Sequence, residues 1–466
     1  MRRLQKLNLF DFTMIVVGLV IGMGIFRTAS LSAKSAGTPA IFFSAWIAGG
    51  IIALCGALTY AEIGSRYPVT GGYYKIFSYA YHPSIAFSIN CIVLISNAGA
   101  VSGVALIGAG YISQVIFDHP ASDTVKLAIA ISAVVAFYGV NLLGLKMSAR
   151  AQNFLMIIKI AMVVLLIVPL FLPFLHQHAG PIIAAQPLLS ASHSLLTASH
   201  PPLAAPPLSV SDWIRHFGQA LVAVSFAYTG YQQTINFGHE VEQPARNVPR
   251  AIFMGIALII GLYMLVNLSY YKVLGFDQLQ QQSEIARTVA ARLLGETGGN
   301  LFSGLLFLSV LAYVNVMLMS NPRVMFAMSE DKVLPALFAK KTAKREVLIF
   351  ALTAFAAICI ITLLFAKTFD QILNFTIFLD SLGMATSAGA IFMLRKRTRH
   401  LDNTGIYSMK LYPLLPLVFI AAYLFVAFSI CWQSPGTAGI GLLILLGFLG
   451  IYWIVRLAGN KATSKT

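Results

Sequence analysis

Apolar runs of about 20 residues recur along the whole chain, and they restrict its possible folds more than any other feature. A helix of this length crosses the hydrocarbon core of a bilayer, because each helical residue rises by about 1.5 Å. Only 10% of the 466 residues are charged, whereas an ordinary soluble domain has about 25%. The sequence therefore predicts an all-α integral membrane protein with the lipid bilayer as its main solvent.

These runs predict about twelve membrane spans in a single transmembrane domain, with no cleavable signal sequence before the first span. Their approximate bounds are 10–37, 39–65, 73–112, 124–145, 148–174, 212–238, 250–275, 299–327, 346–366, 370–394, 411–432 and 438–458. A segment rich in Ala, Ser, Pro and Leu, residues 175–211, predicts a flexible outside loop. The domain then divides into a first half at 10–174, a second half at 212–394 and two extra helices at 411–458.

The net charge of +16 raises the possibility of nucleic-acid binding, which would require the charge to cluster on one soluble face. Most of the 32 Lys and Arg instead fall in the loops on one side of the predicted topology, with clusters at 340–345 and 395–399. This is the positive-inside bias of membrane proteins. We therefore expect no nucleic-acid partner, a multi-pass location in the plasma (inner) membrane, and cytoplasmic N- and C-termini.

Neither a metal nor a cofactor is expected. The histidines of the outside loop match no ligand spacing, and no Cys or carboxylate accompanies them, so a linker is favoured over a metal site. These histidines are His176, His178, His193 and His200. The four cysteines lie inside apolar runs, where they behave as small hydrophobes. No nucleotide-binding P-loop is present, which disfavours direct ATP drive.

Glycine interrupts two predicted spans near the middle of the membrane, the first at Gly22 and Gly24 and the sixth at Gly230. The sixth span comes five spans after the first. Because five is an odd number of membrane crossings, a repeat of five spans would place its second copy upside down relative to the first. Such inverted repeats are typical of secondary transporters, whose substrate site lies at the discontinuous helices. The spacing alone leaves open the alternative that these glycines serve only close helix packing.

A broken helix inside a membrane indicates a polar cavity, because each unsatisfied backbone group in hydrocarbon costs several kcal/mol. Free N–H groups at the N-terminus of a half-helix favour a carboxylate, while free carbonyls at a C-terminus favour an ammonium. A site built from two breaks can therefore bind both ends of a zwitterion.

Three segments resemble the amino acid, polyamine and organocation permease superfamily, and in particular its bacterial amino-acid permeases. They are GLVIGMGIF at 18–26, YAEIGSRYPVTGGY at 60–73, and FAYTGY at 226–231 followed by EVEQPARNVPRA at 240–251. The second half of the chain is similar mainly in its number of spans, and its best matching segment is RVMFAMSEDKVLP at 323–335.

This resemblance implies a five-plus-five inverted repeat with discontinuous helices 1 and 6, and secondary active transport of amino acids by alternating access. It also implies that amides around the first break bind the substrate carboxylate and that carbonyls at the sixth span bind its amine. The implied substrate-binding residues are Gly22, Met23, Gly24, Ile25, Phe226, Ala227, Tyr228 and Gly230. Phe226 would close over the substrate as a gate, although a core aromatic is the alternative reading.

The chain departs from the family pattern at three positions. Met23 stands where many relatives have a small residue, which would reshape the pocket. Gln232 replaces a frequent Glu, and His239 precedes a single Glu240 where a pair of Glu residues is frequent. Because of the last two departures, the sequence leaves open how the charge network on the inner side is formed and whether a carboxylate takes part in coupling.

Two ionisable residues are expected inside the membrane, where such groups are rare and often functional. Lys159 lies near the middle of the fifth span, and we expect its ammonium to contact the backbone of residues 18–23. The family resemblance implies a role in ion or proton coupling, because a lysine on this helix takes the place of a sodium ion in the proton-coupled and exchanger branches. For Asp380 in the tenth span, a functional role and a packing role are both open. Its expected hydrogen-bond partners are Ser381 or the surroundings of Thr376.

The predicted function is transport of small amino acids by proton-coupled symport or by exchange. A polyamine or other organic cation would favour carboxylates at the breaks, and residues 22–26 and 226–232 contain none. A membrane enzyme would require paired His and carboxylates facing one lumen, which no span offers. A non-transporting sensor with the same fold remains an alternative. The oligomeric state is not predicted.

Overall fold

The structure, a computed structural model of the chain, describes residues 6–22, 24–117, 121–173, 209–282, 284–342, 345–365, 369–400 and 405–463, without the side chains of 365, 369–376 and 455–463. The described residues form helices and two isolated bridges, Leu7 with Val241 and Thr70 with Phe237. The α-helices are α1 Leu9–Val20, α2 Gly24–Ala36, α3 Pro39–Arg66, α4 Gly72–Ala80, α5 Pro83–Ile116, α6 Asp123–Leu142, α7 Leu145–Ile167, α8 Val210–Tyr228, α9 Pro244–Leu274, α10 Phe276–Gln281, α11 Ile285–Glu330, α12 Ile349–Phe365, α13 Phe369–Arg397, α14 Leu414–Gln433 and α15 Pro435–Thr463.

Ten helical stretches in the described part of the chain are long and apolar enough to cross a membrane. Two further helices, α8 and α12, stand where the sixth and ninth spans are expected, so together they account for the predicted spans. The loop predicted at 175–211 lies outside the described residues up to residue 208.

The first and sixth spans are discontinuous, as predicted. In the first span α1 ends at Val20 and α2 begins at Gly24, with non-helical backbone at Ile21 and Gly22 between them. In the sixth span α8 ends at Tyr228, and after Gly230 the chain continues as 3₁₀ turns at Tyr231–Asn236 rather than as an α-helix. A membrane helix broken in this way leaves backbone groups available in the interior of the bundle.

The predicted third span, 73–112, is wrong at its start. The chain forms a short helix, α4, then turns at His82, and the membrane helix α5 begins only at Pro83. Proline disfavours helical backbone at the preceding residue and lacks an N–H, so it begins a helix well and continues one poorly. His82 accordingly has extended backbone, and its Nδ1 accepts the N–H of Ser84 at 3.2 Å as the N-cap.

The eighth span is part of a longer element than its predicted bounds, 299–327. Helix α11 runs from Ile285 to Glu330 with a kink at Gly295, where φ is 74° and the backbone is not helical. A glycine adopts this left-handed φ without the steric penalty that a side chain would bring. The segment before the kink is tied to α5 by a 2.6 Å hydrogen bond from Gln114 to Glu284.

The two broken spans lie at the centre of the bundle, where α2 packs on α8 while α1 packs on α7 and α9. Glycines allow these close approaches: a Cβ at Gly255 of α9 would lie 2.6 Å from Val16 of α1. The last two helices, α14 and α15, instead carry exposed apolar side chains such as Leu443 and Ile454, which suits a surface facing lipid.

Candidate functional site

The two helix breaks contact each other directly. A Cβ placed on Gly24, the first residue of α2, would lie 2.7 Å from the Cα of Ala227 and 2.9 Å from its Cβ. On the other side of the contact, Gly230 has a φ of 115° and approaches the carbonyl of Leu19 too closely to leave room for a side chain. Glycine is therefore required at both breaks, for close packing at Gly24 and for both packing and backbone conformation at Gly230.

Some backbone groups at the breaks are paired locally. The N–H of Ile21 donates to Val17 at 2.8 Å, and the N–H of Gly22 donates to Val20 at 2.7 Å, so the Gly22 amide is engaged in this conformation. The first N–H groups of α2, from Gly24 onward, have no carbonyl within their own helix, as at every helix N-terminus. They are the natural donors to an anion at this break.

Side chains form hydrogen bonds with the backbone at the sixth-span break. The N–H of Gly230 donates to Gln232 Oε1 at 2.8 Å, and Thr229 Oγ1 donates to the carbonyl of Phe226 at 3.1 Å. Gln232 is one of the three departures from the family pattern, and here its amide oxygen caps the break. The Phe226 carbonyl has a second lone pair for another donor.

A small cavity of about 20 Å³ lies between the breaks, with room for about one water molecule. Its walls are Leu19, Val20, Gly22, Gly24, Asn97, Ala100, Val104, Phe226, Thr229, Gly230, Gln232, Tyr313, Met317 and Asp380. An amino acid needs more room than this volume provides, so binding between the breaks would require the walls to move apart.

The residues singled out from the sequence fall into three groups. Those that line the cavity are Gly22, Gly24, Phe226 and Gly230. Those that are buried but are not part of its lining are Ile25, Ala227 and Tyr228. Met23 lies outside the described residues. Tyr228 stacks edge-on against Trp46 at 5.8 Å between ring centroids, so its side chain has a core role.

Lys159 is fully buried on α7, and its Nζ donates a hydrogen bond to the carbonyl of Ile21. Two turns earlier on the same face of α7, Gln152 packs against Gly18 of α1. The hydroxyl of Tyr263 on α9 donates to the neighbouring carbonyl of Val20 at 3.4 Å. The carbonyls released at the end of α1 are therefore bound by side chains from two other helices.

Asp380 is half-buried on α13 and lines the cavity. Its Oδ1 accepts a 3.0 Å hydrogen bond from Ser96 of α5. Ser381, one of the partners expected from the sequence, instead donates to the carbonyl of Ile377 at 2.7 Å. The side chain of Thr376 lies outside the described residues.

Sequence reasoning missed the cavity residues of α5 and α11, which are Asn97, Ala100, Val104, Tyr313 and Met317. The Tyr313 ring covers the first break, because a Cβ at Gly22 would lie 3.3 Å from it. These side chains come from α5 and α11, which carry no motif at these positions. No local pattern could have identified them, since helix packing alone brings them to the breaks.

An ion pair links α11 to the segment that follows the sixth-span break. Arg323 of α11 binds Glu240 at 2.7 Å, and its guanidinium lies 4.5 Å from the centre of the Phe237 ring. The N-terminal segment joins this contact, because Leu7 and the chain around Val241 exchange backbone hydrogen bonds of 2.7 and 2.9 Å. Glu240 therefore forms a charged contact with α11, although the chain has His239 where a second Glu is frequent in the family.

A second network surrounds Glu62, which is fully buried at the end of α3. Its carboxylate accepts from Arg66 at 2.6 Å and from Arg395 of α13 at 2.7 Å on each oxygen. The N–H of Met409, in the segment before α14, donates to it at 2.8 Å. This one carboxylate joins α3, α13 and the connection to the last two helices.

The fold and the site together define a multi-pass membrane transporter of the secondary type, with a closed cavity between two broken helices. The chain belongs to the amino acid permease family, since the profile described as "Amino acid permease" matches residues 7–455. It is therefore a transporter of amino acids and not an enzyme.

Three curated relatives illustrate the similarity. The serine/threonine exchanger SteT of Bacillus subtilis is 28% identical over 96% of both chains. The large neutral amino acids transporter small subunit 2 of Homo sapiens is 26% identical over 96% of this chain and 81% of its own length. The cystine/glutamate transporter of Homo sapiens is 24% identical over 98% of this chain and 86% of its own.

Proposed function

We propose that this protein exchanges small amino acids across the plasma membrane by alternating access, with the substrate held between the two breaks. The N–H groups at the start of α2, from Gly24 and Ile25, would bind the carboxylate. The carbonyls at the end of α8, at Phe226 and Ala227, would bind the amine. The observation that carries this proposal is the direct contact of the two breaks, Gly24 with Ala227 and Gly230 with Leu19, around one cavity.

In alternating access, elements of two inverted repeats, residues 10–174 and 212–394, would move relative to each other around the site. The helices at 411–458 would be attached outside these repeats. The basic clusters at 340–345 and 395–399 support cytoplasmic N- and C-termini. The ion pair of Glu240 with Arg323 then closes the cytoplasmic end, and its opening would release substrate inward.

Exchange is proposed ahead of proton symport because a relative named as an exchanger, SteT, is similar over almost the whole chain. Lys159 is fully buried, and its ammonium donates to the carbonyl of Ile21. In this mode Lys159 holds the backbone at the first break, and the counter-transported amino acid drives the cycle.

The experiment is uptake of labelled serine and alanine into proteoliposomes containing the purified protein, with protein-free liposomes as the control. We expect rapid uptake only when the vesicles contain unlabelled amino acid. Uptake into empty vesicles driven by an inward pH gradient would instead establish proton symport. Absence of amino-acid uptake under both conditions, or stronger competition by a polyamine such as putrescine, would contradict the proposal.

A further inference from the structure

Asp380 is the one acidic side chain among the residues that line the described cavity. None of the ion pairs formed by the described residues includes it, and its described hydrogen bond comes from the neutral Ser96. A carboxylate has about four acceptor positions, and Ser96 occupies one of them. Asp380 therefore lines the cavity with acceptor capacity beyond its hydrogen bond from Ser96. Inside a membrane protein such a group favours a donor as its neighbour.

The position of Asp380 relative to the breaks determines which part of a substrate it would meet. The breaks belong to the first and sixth spans, and they are proposed to bind the carboxylate and the amine. The substituent on the substrate Cα then faces the remaining walls, formed by α5, α11 and α13. On those walls the amide nitrogen of Asn97 donates to Asn321 at 2.6 Å, and Asp380 is the one carboxylate, with acceptor positions beyond the one that Ser96 occupies.

Bulky side chains share these walls with Asp380: Tyr313 and Met317 of α11 and Val104 of α5. We therefore expect a short substituent to suit the site better than a long or branched one, even after the walls move apart to admit substrate. The segments at 22–26 and 226–232 contain no carboxylate, and α13 supplies one from a distant part of the chain.

We propose that Asp380 determines substrate specificity by accepting a hydrogen bond from the side chain of the transported amino acid. The protein would thus prefer small amino acids whose side chain ends in a hydroxyl or an ammonium. This inference rests on the proposed function, because it assumes that substrate occupies the cavity. A site with a buried acceptor discriminates against an analogue of equal size that lacks the donor, since binding that analogue leaves the acceptor unpaired.

Three amino acids of equal heavy-atom count test the proposal: 2-aminobutyrate, serine and 2,3-diaminopropionate. They carry a methyl, a hydroxyl and an amino group, respectively, on the same carbon. Each is used as a competitor of labelled alanine uptake in proteoliposomes, which gives an inhibition constant for each compound. For the wild-type protein we expect serine and 2,3-diaminopropionate to bind about 10- to 100-fold more tightly than 2-aminobutyrate.

Two variants separate the hydroxyl from the ammonium. Asp380→Leu removes the acceptor, and the ratio of the 2-aminobutyrate and serine constants should fall to about one. Asp380→Asn keeps a carbonyl oxygen but not the charge, so it should retain a preference for serine and lose the preference for 2,3-diaminopropionate. The control is Ser381→Ala, the neighbouring buried residue that does not line the cavity, which should keep the wild-type ratios.

The outcomes distinguish this inference from the proposed function. Alanine uptake with equal inhibition constants for the three compounds, or unchanged ratios in Asp380→Leu, would overturn the role of Asp380 and leave transport intact. If Asp380→Leu does not fold, an unchanged preference for 2,3-diaminopropionate in Asp380→Asn overturns it equally. Absence of uptake by the wild-type protein would contradict the transport function itself.

Discussion

The ammonium of Lys159 donates its hydrogen bond to the carbonyl of Ile21, the C-cap residue that follows α1 at the first break. A buried ammonium in the middle of a bilayer persists only where it has such a partner. Because the partner belongs to the break itself, Lys159 is connected to the geometry of the cavity between the breaks. A change at either group is therefore expected to affect the other.

Replacing Lys159 by Ala leaves the Ile21 carbonyl without its donor, and we expect the protein to fold but to bind substrate about 10-fold more weakly or worse. Exchange should slow correspondingly. The control is Lys146→Ala, because Lys146 is exposed near the start of the same helix. The measurement is uptake over an external pH range of about 5 to 8, with and without internal amino acid. Uptake equal to that of the wild type in all these conditions would make Lys159 a packing residue.

Replacing Gly24 by Val should abolish uptake, because the new side chain would collide with the Cα and Cβ of Ala227, at 2.7 and 2.9 Å from the position of its Cβ. Membrane insertion should be unaffected. The matched control is Gly261→Val, since a Cβ at Gly261 of α9 has open space around it. Transport is compared in proteoliposomes at equal protein content. Normal uptake by the Gly24 variant would show that close contact of the two breaks is not required.

Replacing Glu240 by Gln breaks the ion pair with Arg323 and should favour opening at that end of the bundle. A hydrogen bond to a charged group contributes about 1.5 to 3 kcal/mol, so we expect opening to become at least about 10-fold more frequent. Hydrogen exchange of residues 231–243 reports this change. Glu242→Gln is the control, because the Glu242 side chain is exposed and takes part in none of the described ion pairs. Identical exchange in both variants would contradict a closing role for the Glu240 pair.

Replacing Glu62 by Gln should destabilise the fold by about 3 to 5 kcal/mol, because the change leaves two arginine side chains near a buried neutral amide. The expected result is a lower thermal midpoint in detergent or nanodiscs. Asp123→Asn serves as the control, since Asp123 pairs with Lys126 on the surface and its side chain is fully exposed. Equal midpoints for the two variants would show that the Glu62 network does not stabilise the fold.

The sequence predicted the parts of the fold that depend on local pattern. The apolar runs indicated the helices, and the glycines of the motif at 18–26 placed the first break correctly. The start of the third span was wrong because the aromatic and apolar residues of α4 continue the run up to Pro83, and the helix restarts there. Pro83 is the local signal for this new start, because proline begins a helix well and continues one poorly.

Only the part of the cavity that the two helix breaks form was predictable from the sequence. Gly24 and Phe226 belong to motifs and were identified, whereas Tyr313 comes from a segment with no local signature. Asp380 was recognised as a buried acid, but its partner, Ser96, is 284 residues away in the sequence. Contacts between residues so far apart in the sequence depend on how the helices pack, and local sequence patterns do not show that packing.

The most direct test of the central claim is a structure of the protein in lipid nanodiscs with serine bound. We predict density between the two breaks, with the carboxylate about 3 Å from the amide nitrogens at the start of α2 and the amine about 3 Å from the Phe226 or Ala227 carbonyl. The hydroxyl should point towards Asp380. A ligand bound away from Gly24 and Phe226, or unbroken helices through both spans in the bound state, would contradict the account.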